Sequence, residues 1–149
     1  MKPTNITISL FLVLCSFSGL RSQNPVYKEA TLSHPAELWN SVKLDADGNN
    51  LRNGVLFYKH NEDCGSEKVK LLKLINQNDY AVKVSFQLSA ESPVEIVTIP
   101  AASSVEGSCS TTDPNLVKLV LKVNPNQTDA DKKKNAEFIQ SHIFVTRAQ

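Results

Sequence analysis

Six consecutive residues carry the densest set of oxygen ligands in the chain. Asp45, Asp47 and Asn49 alternate in the sequence DADGNN, residues 45–50, and closely spaced carboxylate and amide oxygens are what calcium prefers. An EF-hand loop needs glycine at its sixth position, whereas Gly48 is the fourth residue here. An Asp-Gly pair also suits a tight turn. We expect a polar turn, with a calcium site at Asp45, Asp47 and Asn49 as the alternative.

Histidine is the other candidate metal ligand, and the chain contains only His34, His60 and His142. A zinc site could take His60 with Glu62 or Asp63 beside it and a further ligand from a distant strand. The spacing matches no recognised zinc motif. We therefore expect surface or hydrogen-bonded histidines, and no cofactor.

Signatures of catalysis are missing from the sequence. No serine stands in a G-x-S-x-G elbow, the strained turn that presents the nucleophile of many hydrolases. Paired carboxylates for glycoside hydrolysis depend on the fold and not on sequence spacing, so they stay open. We expect a protein that is not an enzyme, with a small secreted hydrolase as the last alternative.

Aromatic side chains could supply a binding surface. Trp39, Tyr27 and Tyr58 are candidates because such rings stack on sugars or fill a partner's pocket. Tyr58 falls in an apolar run and is expected to pack at a strand position. Trp39 lies in an irregular segment, HPAELWNS, where a lone tryptophan either covers a core or contacts a partner.

The first 22 residues have the pattern of a secretory signal peptide. Their apolar run, residues 6–17, is too short to span a bilayer comfortably. Small residues precede two candidate cleavage points, after Ser18 and after Ser22, and we favour Gln23 as the new N-terminus. A lipid on Cys15 is the less favoured alternative, because leucine precedes that cysteine.

Export would leave two cysteines in an oxidising compartment, Cys64 and Cys109. Two cysteines permit one pairing, and closing that loop would stabilise the fold by about 4 kcal/mol. Their wide separation does not suit a redox-active C-x-x-C pair. We expect a structural disulfide that joins two connections and fixes the polar segment 101–115.

The balance of charged residues limits the classes of partner that the chain is expected to bind. The chain has 16 basic and 15 acidic residues, so no basic excess indicates nucleic-acid binding. Residues 23–149 contain no second long apolar stretch and are of a size for one domain. We expect a single exported domain without a transmembrane span.

Alternating apolar residues predict strands. The pattern is clearest in residues 80–88 (YAVKVSFQL) and in residues 116–123 (LVKLVLKV), where Val117, Leu119, Leu121 and Val123 would face inward. The Asn-rich residues 76–79 would close a hairpin between residues 69–75 and the residue 80–88 strand. Further strands are predicted at residues 26–32, 55–60, 94–99 and 143–146.

Short strands separated by turn residues indicate an antiparallel β-sandwich of the Ig-like or Greek-key type with about seven strands. One short helix is predicted at residues 129–139, capped by Thr128. Residues 63–109 resemble, in architecture only, small exported β-sandwich domains of bacterial proteins. That resemblance implies a sandwich and carries no functional residue.

These features together predict a non-catalytic exported binding protein or accessory subunit of a cell-envelope assembly. Its location would be the periplasm, the cell surface or the medium. A protein partner would dock on a sheet edge or on the Trp39 segment. A carbohydrate-binding module that uses Trp39 and a tyrosine is the alternative.

Overall fold

The computed structural model describes residues 34–149. Within them the chain forms two antiparallel sheets and one helix near the C-terminus, which confirms the all-β expectation at that level. The signal peptide, the strand predicted at residues 26–32 and Tyr27 lie outside the described residues. No helix within residues 34–149 is both long enough and apolar enough to cross a membrane.

Nine strands and one α-helix make up the described chain, together with two short 3₁₀ helices at Ala36–Leu38 and Val117–Leu119. The elements in chain order are β1 (Asn40–Ser41), β2 (Leu51–Arg52), β3 (Val55–Cys64), β4 (Glu67–Asn76), β5 (Val82–Phe86), β6 (Glu95–Ile99), β7 (Ser103–Glu106), β8 (Val120–Lys122), α1 (Asp129–Ser141) and β9 (Ile143–Arg147).

The larger sheet is built on the long hairpin of β3 and β4, whose ten residues each pair in unbroken register from Val55 and Asn76 to Cys64 and Glu67. Gly65 closes the hairpin with φ +66°, a left-handed conformation that glycine adopts without strain. Short strands flank the pair: β1 and β2 on β3, β7 and β8 on β4.

The smaller sheet has the order β6-β5-β9. Its central strand confirms the predicted alternation, since Val82, Val84 and Phe86 are buried while Lys83 is exposed. Side chains from both sheets, together with Leu44 and Leu119, form a single buried cluster. This cluster is the core that fixes the two sheets against each other.

The hairpin predicted around residues 76–79 is wrong, because β4 and β5 belong to different sheets. The buried amide of Asn76 donates to the carbonyl oxygens of Tyr80 and Pro100 at 2.8 and 2.9 Å. Its oxygen accepts from the backbone N–H of Asn78 at 3.0 Å. These bonds hold a crossing between the sheets where the sequence suggested a two-strand turn.

The strand predicted over residues 116–123 is also wrong in most of its length. Val117–Leu119 is a 3₁₀ helix and only Val120–Lys122 pairs with β4. Leu119 is fully buried, as expected, but Val117 and Val123 are 49% and 37% exposed. The burial of one apolar side chain, that of Leu119, and the pairing of a short strand therefore hold this segment in place.

Cys64 and Cys109 form the predicted disulfide, with their Cα atoms 5.3 Å apart. The expectation that both lie in connections is wrong for Cys64, which ends β3 and pairs with Glu67. The segment 101–115 is also more ordered than expected, because it contains β7, which pairs with β4 on the side opposite β3. Backbone pairing holds that part of the segment, together with the Ser103 hydroxyl, which donates to the Pro100 carbonyl at 2.9 Å.

The predicted helix is confirmed and runs two residues further, from Asp129 to Ser141. Thr128 caps it reciprocally: its hydroxyl accepts from the Asp131 N–H, and the Asp131 carboxylate accepts from the Thr128 N–H. None of the helix residues is fully buried. The helix therefore contacts the sheets through partly buried side chains such as Ile139, which packs against the core.

Candidate functional site

A cavity of about 330 Å³ lies between the inner face of the larger sheet, the end of β5 and the helix α1. Most of its lining is aliphatic or aromatic, contributed by Val42, Leu44, Phe57, Leu72, Leu74, Phe86, Leu88, Leu121, Ala136, Ile139 and Ile143. We call this cavity the inter-sheet pocket. Its volume and lining are those of a small-molecule binding site.

Two lysines of the central hairpin also line the inter-sheet pocket. Lys59 is the register partner of Leu72. Lys70 precedes Leu72 by two residues, so the pleat brings both ammonium-bearing side chains to the same inner face. Lys43 lines the pocket as well, and no aspartate or glutamate does. The ion pairs found within residues 34–149 involve none of these three lysines.

The environment of Lys70 disfavours its positive charge. Burial lowers the pKa of the Lys70 ammonium below its ordinary value, and the charge of Lys59 lowers it further. An anion beside the two amines would reverse both effects, because it would replace lost hydration and offset the repulsion. The pocket therefore combines an apolar lining with two lysines whose positive charges an anion would stabilise.

One wall of the inter-sheet pocket is the lightly packed helix α1. Its C-terminal end is fixed, because the Arg52 guanidinium donates to the carbonyl oxygens of Gln140 and Ile143 at 2.8 and 2.9 Å. The Gln140 amide in turn donates to the Lys43 carbonyl oxygen at 3.0 Å. The remaining turns of α1 carry no fully buried side chain, so fewer buried contacts hold that part of the wall.

The opposite, outer face of the larger sheet carries a second group of polar side chains. His60 and Glu62 lie two residues apart on β3 and share this face, and His34 reaches it from the segment before β1. Glu62 Oε2 lies 3.2 Å from His60 Nε2 and 3.4 Å from His34 Nε2. The ligand atoms of the three residues all lie within 4.8 Å of one another. We call them the His-His-Glu cluster.

The structure thus unites His60 and Glu62 as the sequence allowed, but the third member is His34. Asp63, the other acidic candidate, has the opposite strand parity and pairs with Lys68 at 3.0 Å. His142 lies elsewhere and stacks on Phe138 with ring centroids 3.8 Å apart. Nothing in the sequence spacing of His34 and His60 indicated that they meet.

Trp39 packs beside the His-His-Glu cluster. Its ring lies edge-on to His34 and tilted towards His60, both with centroid distances of 5.9 Å. The indole Nε1 is buried without a hydrogen-bond partner. Lys73 Nζ lies 5.7 Å from the Trp39 ring centroid. Tyr58 is half-buried, and its β3 position is the register partner of Lys73.

The DADGNN segment forms a tight polar turn. Asp45 accepts from the Asn49 backbone N–H and from the Asn49 amide, each at 2.9 Å, and Gly48 has φ +82°. These bonds from Asn49 lower the pKa of the Asp45 carboxyl. Asp45 and Asp47 belong to no close group of metal-ligating side chains in residues 34–149, where the only such group is the His-His-Glu cluster.

Sequence reasoning missed the inter-sheet pocket because it predicted strands at residues 55–60 and 69–75 without assigning a face to Lys59 or Lys70. The sequence did contain a signal. Lys59 lies two residues from Phe57, and Lys70 lies two residues from Leu72, so each lysine shares a strand face with an apolar residue. Comparisons with known protein families, with curated proteins and with solved structures find no match to this chain.

Proposed function

We propose that this chain is an exported, non-catalytic binding protein that holds a small amphipathic anion in the inter-sheet pocket. The observation that carries this proposal is the apolar cavity lined by Lys59 and Lys70 and by no carboxylate. A ligand with an apolar body and one carboxylate fits both properties. The apolar body would be removed from water, and the carboxylate would be paired with the amines of Lys59 and Lys70.

Export and the finer fold type belong to the same proposal. The Cys64–Cys109 disulfide supports an oxidising compartment, and a signal peptide at residues 1–22 would deliver the chain there. The core shared by both sheets supports a β-sandwich of the Ig-like or Greek-key type. A binding protein outside the cytoplasm needs no catalytic residues, in keeping with the absence of a nucleophile motif.

The experiment compares ligands that share one chain and differ in the head group. Decanoate, decanol and decyltrimethylammonium are titrated into the mature protein by calorimetry. We expect decanoate to bind at one site, decanol to bind more weakly and the cation to bind least. Equal affinity for decanoate and decanol would contradict a role for the lysines, and no binding of any of the three would overturn the proposal.

Variants locate the site. Lys59→Met and Lys70→Met keep the length of the side chain and remove its charge, so each should weaken decanoate binding and leave decanol binding nearly unchanged. Lys83→Met is the matched control, because Lys83 is exposed on β5 and does not line the pocket. Ala136→Phe should fill the pocket and weaken both ligands, whereas Ala130→Phe on the same helix should not.

A second candidate function is docking of a protein partner in the cell envelope, with two apolar side chains in its favour. Ile96 and Phe144 are 47% and 58% exposed and flank Ser85 on the outer face of the smaller sheet. Pull-down from the envelope with Phe144→Lys and Ile96→Lys as negative variants tests this candidate. Unchanged recovery of partners with both variants would reject it.

Strand addition at the edges of the smaller sheet has less support. Asn115 already bonds the backbone N–H and carbonyl of Thr98, each at 3.0 Å. On the other edge, Asn53 donates to the Val145 carbonyl at 3.2 Å. A docking strand would have to displace these side chains. A carbohydrate module is also less supported, because Trp39 packs against imidazoles and is not displayed as a flat platform.

A further inference from the structure

The His-His-Glu cluster has the composition and spacing of a divalent metal site. Zinc binds imidazole nitrogen and carboxylate oxygen at about 2.0–2.2 Å, so adjacent ligand atoms of a tetrahedral site lie about 3.4 Å apart. The distances from Glu62 Oε2 to the Nε2 atoms of His60 and His34 are 3.2 and 3.4 Å. Two edges of the tetrahedron therefore already have the length that zinc requires.

The residues around the cluster are those that usually support such a site. His34 Nδ1 lies 3.7 Å from Glu106 Oε1, which is the carboxylate–histidine arrangement that orients a metal-bound imidazole through its other nitrogen. Without a metal, His34 Nδ1 is buried and makes no hydrogen bond. A shortening of the Nδ1–Oε1 distance by less than about 1 Å would complete that bond.

The local charge also suits a cation. Two carboxylates, Glu62 and Glu106, lie beside the imidazoles, and the buried Lys73 contributes one opposing positive charge. Lys73 is the register partner of Glu106 across β4 and β7. With neutral imidazoles the group has a net negative charge, which a divalent ion would offset.

A long strand holds two of the three ligands, and Trp39 packs against the third, His34. His60 and Glu62 lie on the long strand β3, four and two residues, respectively, before the disulfide-bonded Cys64. Trp39 packs against both imidazoles and covers one side of the cluster. Three protein ligands leave one position of a tetrahedral ion open to water or to a fourth ligand.

We propose that His34, His60 and Glu62 bind one zinc ion, or a divalent ion of similar preference, on the outer face of the larger sheet. This site is separate from the inter-sheet pocket, because β3 sends His60 and Glu62 to one face and Lys59 to the other. Failure of one proposal therefore leaves the other untouched.

The test uses zinc chloride and the mature disulfide-bonded protein. Calorimetry should give one zinc per chain, and zinc should raise the temperature of unfolding. Magnesium at the same concentration should produce neither effect, because nitrogen ligands disfavour it. Cobalt(II) should give the visible absorption of a tetrahedral site. Histidine NMR signals of the wild-type protein should shift for His34 and His60 but not for His142.

Variants assign the ligands. His60→Gln and Glu62→Gln should abolish stoichiometric binding, and Glu106→Gln should weaken it by about 10- to 100-fold, the usual effect of losing an orienting carboxylate. His142→Gln and Glu67→Gln are matched controls outside the cluster and should bind like the wild type. No saturable zinc binding by the wild type would overturn the proposal. So would NMR shifts centred on His142, or equal losses with the control variants.

Discussion

Removing the Cys64–Cys109 disulfide should lower the free energy of unfolding without changing the native contacts. Backbone hydrogen bonds hold the chain on both sides of the disulfide: Cys64 pairs with Glu67 in the hairpin register, and Gly107, two residues before Cys109, donates its N–H to the Leu72 carbonyl at 2.9 Å. The reduced protein should therefore retain its fold. The effect of the bond should come from the unfolded chain, which the disulfide restricts.

The magnitude follows from the size of the closed loop. The two cysteines are separated by 45 positions, and the chain-entropy relation gives about 4 kcal/mol for a loop of this size at room temperature. A typical domain is stable by about 5–15 kcal/mol, so the variant should be close to the limit of stable folding. The unfolded state of the variant should also be more expanded, which raises the slope of the free energy against urea.

Urea unfolding followed by fluorescence of Trp39, the single tryptophan, measures both quantities. The Cys64→Ala/Cys109→Ala variant is compared with the oxidised wild type and with the wild type in reductant. Reductant added to the double variant is the control and should have no effect. A loss below about 1 kcal/mol, with native circular dichroism retained, would refute the loop-closure reasoning.

Three further changes test single contacts. Thr128→Ala removes the cap of α1 and should cost about 1 kcal/mol in urea unfolding, with Thr128→Ser nearly neutral. Asn76→Ala leaves the carbonyls of the sheet crossing without their buried donor and should cost at least about 2 kcal/mol by the same measurement. The hydrogen bonds from Thr128 lower the pKa of the Asp131 carboxyl, so its contribution to stability is present above its ordinary pKa and lost as pH falls through the lowered value. The unfolding temperature should therefore drop in acid, and Asp131→Asn should reduce that drop.

Local patterns predicted the elements of the smaller sheet because each strand there has one buried and one exposed face. Val82, Val84 and Phe86 are spaced two residues apart because all three face the core. The same reasoning predicted α1 from its cap and acidic first turn. Short-range chemistry determines these features, so a short window of sequence contains them.

Partner choice between strands was not predictable in the same way. Asparagine is typical of turns, whereas the Asn76 amide here also bonds to the Pro100 carbonyl, 24 residues away. Residues 116–123 alternate like a strand. Their conformation depends instead on the burial of Leu119 in the core and on the pairing of Val120–Lys122 with β4. Both decisions depend on contacts that are distant in sequence.

The candidate sites were hidden because the larger sheet uses both of its faces. Lys59 lines the inter-sheet pocket, while its neighbour His60 belongs to the His-His-Glu cluster on the other side. A strand with two functional faces has no simple alternation of apolar and polar residues, so its pattern indicates a strand but not what each face contacts. The meeting of His34 with His60 adds a contact that no spacing rule contains.

The two-sided use of β3 makes its register with β4 critical. A slip by one residue would move Lys59 to the outer face and His60 into the pocket, and both candidate sites would be lost together. Both ends of the hairpin are secured against such a slip. At one end the disulfide fixes Cys64. At the other, Gly54 has φ +76° and lies so close to the Asn78 side chain that an added Cβ would collide with it. We infer that the disulfide and this glycine contact disfavour slipped registers, while the backbone pairing of β3 with β4 holds the native register in the oxidised and the reduced protein alike.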